Sequence, residues 1–73
     1  VAQRNWQEAI RAADRALQIR RIYPEAQYLI AISFAQLGQL AEAEQHVLRG
    51  LADAPTHAAL NDLKRQLDRR KGH

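Results

Sequence analysis

The sequence predicts an all-α chain of stacked helix pairs, and three observations carry that expectation. A helix-shaped segment recurs: Trp6 and Leu40, Glu8 and Glu42, Ala9 and Ala43, and Leu17 and Leu51 each stand 34 residues apart. A period of this size belongs to helix–turn–helix units, none of which can bury its apolar face alone. The apolar residues also recur at helical spacing, and no segment alternates with period two, so no strand is expected. Finally, Pro24, Gly38 and Pro55 fall where the helical pattern breaks.

About four helices follow from this pattern. In the first, Asn5 and Glu8 have the spacing of a capping box, and Trp6, Ile10, Ala13 and Leu17 form one apolar stripe. Its end is expected near Arg20-Arg21, whose charges suit the negative end of a helix dipole. Pro24 opens the second helix, where a missing N–H costs nothing, and Gly38 closes it. Between Ala26 and Leu37 the only polar residues are Gln27, Ser33 and Gln36, so this helix is expected to lie between neighbours. The third runs from about Leu40 to Asp53 with Leu40, Ala43, Val47, Gly50 and Leu51 on its apolar face, and Pro55 stops it. The fourth spans roughly Ala58 to Lys71, with Leu60, Leu63 and Leu67 on a narrow stripe and a polar back.

Composition narrows the function classes. Seventy-three residues make one small domain, whose core rarely supplies more than roughly 3–5 kcal/mol without staples. The absence of cysteine excludes disulfides, thiolate metal sites and thiol nucleophiles. The longest aliphatic run, Leu29 to Ile32, is far short of the roughly 20 residues of a membrane span. The net charge of +3 comes mainly from arginine, and the wealth of Arg, Ala, Gln and Leu suggests a GC-rich bacterial genome. Position 1 is Val and the repeat begins halfway, so the chain reads as an excised or processed piece of a longer protein.

The pattern resembles the tetratricopeptide repeat family. Its motif, W-x-x-L-G-x-x-Y, then A-x-x-x-F, then P, can be laid without a gap on residues 24–57. Ile30-Ala31 and Phe34 take the Leu-Gly-x-x-Tyr places, Ala43 and Val47 the Ala-x-x-x-Phe places, and Pro55 the closing proline. Gln27 stands where Trp is usual, Ala13 where Phe is common, and Arg21 where the earlier repeat would close with Pro. The resemblance implies a right-handed α-solenoid of antiparallel helix pairs. It divides the chain into the second helix of a truncated repeat (1–22), a complete repeat (23–57), and a capping helix with a basic tail (58–73). Small Ala31 and Ala43 would let the two helices of the complete unit approach closely, and Gly50 would admit the first helix of the next.

In this family the first helix of each repeat lines a concave groove for an extended or helical peptide. By the resemblance, Glu25, Tyr28, Ile32, Ala35 and Gln36 would line that groove here, with Thr56 and His57 nearby. Ala59, Asp62 and Gln66 would join them from the next helix. Tyr28 and Ile32 share a face and could form an aromatic–aliphatic pocket, or could equally be packing residues of an inner helix. The stripe of Trp6, Ile10, Ala13 and Leu17 lacks the helix that would precede it in its own repeat. It is therefore expected to pair with a second copy as a homodimer, or to be covered by upstream residues of a longer parent.

Other chemistry is poorly supported. The basic tail, Lys64-Arg65 and Arg69-Arg70-Lys71, has no aromatic residues interleaved for base stacking, so nucleic acid is not an expected partner. Glu42, Glu44 and His46 offer two ligands on one helix face without an evident third, so no metal is expected. Ser33 has no histidine at useful spacing, and no glycine-rich phosphate loop occurs. No cofactor and no catalysis are expected. The leading expectation is a non-enzymatic scaffold that binds a protein or peptide. The alternatives are a regulatory or positioning appendage of a larger enzyme such as a transferase, and a component of envelope assembly or export.

Overall fold

The computed structural model describes residues 2–71, and the side chains of residues 5–70. Val1, Gly72 and His73, parts of the first and last expected segments, lie outside the described residues, as does the Lys71 side chain of the basic tail. Four helices follow one another: α1 (Ala2–Ile19), α2 (Pro24–Gln36), α3 (Leu40–Asp53) and α4 (Ala58–Lys71). The described residues contain no strand.

α1 begins a turn earlier than the capping-box reading placed it. Ala2, Gln3 and Arg4 are all good helix formers, so the helix runs through Asn5, which is then not a cap. At the other end Arg20 does more than face the dipole. Its Nε donates to the Ile22 carbonyl at 3.2 Å, and its guanidinium lies 4.9 Å from the centre of the Tyr23 ring. The turn is thus held by a side chain, and Tyr23 leads into Pro24 at the first position of α2.

α2 ends in a Schellman motif. Gly38 takes φ +82, its N–H donates to Ala35 O at 3.1 Å, and the Gln39 N–H reaches back to Phe34 O at 2.9 Å. α4 is capped by His57, whose Nδ1 accepts from the Leu60 N–H at 3.3 Å. The Asn61 amide nitrogen donates to both Pro55 O and His57 O at 3.0 Å, tying the α3–α4 turn to the start of α4.

Among the described residues, α2 alone packs against all three other helices; α3 also meets α4, whereas the backbone of α1 approaches only α2. The core is correspondingly in two parts. One gathers Ala31, Ala35, Ala43, Val47, Leu60, Leu63 and Leu67, from α2, α3 and α4. The other gathers Ala13, Ala26 and Ile30, from α1 and α2. Phe34 packs against both and joins them. Ala31 and Ala43 are wholly enclosed, as expected of the small residues where α2 and α3 approach.

At Gly50 the following helix approaches closely. A Cβ there would come within 2.6 Å of Leu60 Cδ1 and 3.1 Å of Gln27 Cβ. Leu60 is itself wholly buried, so its side chain has little room to swing away. Replacing a helical glycine by alanine ordinarily gains about 1 kcal/mol. Here overpacking, which costs about 1–3 kcal/mol, should outweigh that gain. Gly50→Ala should therefore lower the urea midpoint, and a raised midpoint would show that α4 sits less tightly than described.

Candidate interaction surfaces

The residues expected to line a groove fall on α2, the α3–α4 turn and α4. Tyr28 and Ile32 are half-buried and pack against the larger core cluster. Glu25, Gln36, Asp62 and Gln66 are exposed. Ala35 departs from the expectation: at 3% exposure it is a core residue, because it faces the α2–α3–α4 cluster. His57 Nε2 lies 3.9 Å from Glu25 Oε2, so a polar contact links the starts of α2 and α4 beside Tyr28. Asp62 pairs with Arg65 one turn on, and with Gln66 and Arg69 these two line a shallow recess of about 220 Å³. Thr56 is exposed and Ala59 half-buried.

Part of the expected self-association stripe packs on α2. Ala13 is 4% exposed and belongs to the α1–α2 cluster, against which Ile10 and Leu17 pack. The sequence reading looked for the preceding helix of the same repeat as cover. For Ile10, Ala13 and Leu17 the apolar neighbour is α2. Trp6 is half-buried. The strongly exposed apolar side chains are instead Ile19 at 90% and Ile22 at 62%, at the α1–α2 turn.

A part-buried polar pair has no signature in the sequence. Gln27 is 7% exposed, and its Oε1 lies 2.8 Å from His46 Nδ1 on α3. An amide oxygen can only accept, so Nδ1 carries the proton. The imidazole also stacks on Phe34, with centroids 5.7 Å apart and planes 20° from parallel. His46 thus turns inward rather than standing beside Glu42 as a surface ligand pair. Gln27 and His46 are 19 residues apart, on different helices, and no local spacing announces their contact. Ser33, wholly buried, donates its hydroxyl to the Leu29 carbonyl at 2.7 Å and is fully occupied in its own helix.

Burial holds the His46 pKa below the usual 6.5, the Arg49 cation lowers it further, and Asp14 acts in the opposite sense. The folded chain therefore favours the neutral ring, and the unfolded chain takes up a proton more readily. Its contribution to stability is present above pH 6.5 and is lost as pH falls below that value. Urea midpoints should fall between pH 7.5 and 5.5, and His46→Gln should flatten part of that slope. An identical slope in the variant would mean that His46 is not held neutral by the fold.

Comparison with known proteins agrees with this architecture. The tetratricopeptide repeat family model matches residues 1–67, whereas no curated protein and no solved structure matches the chain. Modules of this family are typically non-catalytic and bind protein partners. Among the described residues no helix is long and apolar enough to cross a membrane. With four helices, a 34-residue period and a family match over nearly its whole length, the chain belongs to the tetratricopeptide repeat family and is in general terms a protein–protein interaction module.

Proposed function

We propose that the chain is a scaffold that holds a peptide or short helix of a partner protein against the face formed by α2 and α4. The observation that carries this reading is the state of Tyr28 and Ile32. They stand one turn apart on a helix whose Ile30 is wholly enclosed, yet both keep part of their surface in solvent. An aromatic and an aliphatic side chain seated on a rigid core can bury further area in a partner at little conformational cost. Around them stand Glu25, Gln36, Asp62 and Gln66, which can supply the polar rim of such a contact.

Peptides selected from a random displayed library against the folded chain would test the proposal. Selected peptides should shift the backbone amide resonances of α2 and α4. Gln36→Arg and Gln66→Arg, at exposed rim positions, should weaken binding by roughly tenfold. Glu42→Lys, on the exposed side of α3, should leave it within twofold. Selected peptides whose shifts and mutational sensitivity fall on α1 and α3 alone would contradict the α2–α4 assignment.

A further inference from the structure

A recess of about 360 Å³ opens between α1 and α3, and it shares no residue with the α2–α4 face. Asp14, Gln18 and Arg21 line it from the side of α1, His46 and Arg49 from α3, and Gln27 from α2. The backbones of α1 and α3 do not approach closely: each packs on α2, and the apolar Leu17 and the polar Gln27 both line the furrow between them. A volume near the lower end of small-ligand sites suits a side chain rather than a helix.

The hydrogen-bonding capacity of the recess is unspent in one sense only. The Gln27 Oε1 already accepts from His46, whereas its amide nitrogen has no hydrogen-bond partner among the described residues. No buried side-chain nitrogen or oxygen among them is left unsatisfied, so that nitrogen keeps some solvent access, on a residue that lines the recess. Arg21 and Arg49 form no ion pair among the described residues. Arg21, Arg49 and Gln27 thus line one small space, and each carries N–H donors available to an acceptor placed there.

Asp14 limits which acceptor fits. Two arginines and one aspartate leave the recess with a single excess positive charge, and a nearby carboxylate disfavours densely charged anions such as phosphate. A carboxylate carries one charge, and its two oxygens match the planar fork of an arginine. The overall charge of +3 also draws acidic segments toward the chain. We propose that this recess is a second binding site, which takes an aspartate or glutamate carboxylate of an acidic partner segment between Arg21 and Arg49, over the Gln27 amide.

The site is independent of the α2–α4 face, and its test uses different probes. A blocked tetraglutamate peptide, the matching tetraglutamine peptide and inorganic phosphate would each be titrated into the ¹⁵N-labelled chain at low salt. The glutamate peptide should shift the Gln27 side-chain amide together with backbone amides near Arg21 and Arg49. Arg21→Gln and Arg49→Gln, both at exposed positions, should each weaken it by about tenfold. The double substitution Arg69→Gln with Arg70→Gln removes two charges from the end of α4 and should change binding less than twofold. The glutamine peptide should not bind measurably, and phosphate should bind more weakly than the glutamate peptide. Equal loss in the Arg69/Arg70 variant would reduce the effect to general charge attraction and overturn the site. Phosphate binding as tightly as the glutamate peptide would overturn the carboxylate assignment. Failure of the glutamate peptide to shift the Gln27 amide would overturn the proposal outright.

Discussion

Among the described residues, the packing of α1 and the larger part of the core depend on one helix being enclosed on several sides at once. α2 touches α1, α3 and α4, and so it cannot have a polar back. Its sequence meets that constraint with small residues where a neighbour comes close, Ala26, Ala31 and Ala35, and with larger ones where space remains, Ile30 and Phe34. Phe34 then connects the two apolar clusters, which would otherwise be separate patches in a chain of only 73 residues. In so small a domain that connection decides whether the helices unfold together or one at a time.

The same enclosure generates the surfaces. A helix with three neighbours still has gaps between them, and each gap exposes a strip of α2. The gap beside α4 shows Tyr28 and Ile32, which are apolar. The gap between α1 and α3 shows Gln27, which is polar and needs a partner once it is buried. His46 fulfils that need at 2.8 Å, and the proximity of Arg49 and the desolvation of the ring then follow. One side of the molecule is therefore suited to apolar contact and the other to charge.

Much of the fold was legible because the boundaries are written in residues with narrow conformational choices. Pro24 can begin a helix but not continue one, Gly38 takes the left-handed turn at φ +82, and Pro55 blocks extension of α3. Asn5 misled because a capping residue marks a start only where the preceding residues do not favour helix, and Ala2, Gln3 and Arg4 do. The apolar stripe of α1 was recognised, but what covers it was not, since periodicity shows which face is buried and not against what. Ala35 was assigned to the groove from its repeat position, while its packing against α3 and α4 is a tertiary fact. The Gln27–His46 pair and the recess beside it lay beyond the sequence for the same reason. Departure of Gln27 from the usual tryptophan was visible, and it was the one signal that this part of α2 is built differently.

Native-state hydrogen exchange measures the dependence on α2 most directly, because it reads the opening free energy of each helix separately. If α2 is the shared element, its central amides, from Ile30 to Phe34, exchange only through global unfolding. Amides of α1, whose backbone approaches only α2 among the described residues, then exchange through a lower-energy opening that leaves α2 protected. Protection in α1 equal to or above that of α2 would contradict the account, since it would mean that α1 is held by something other than its single neighbour.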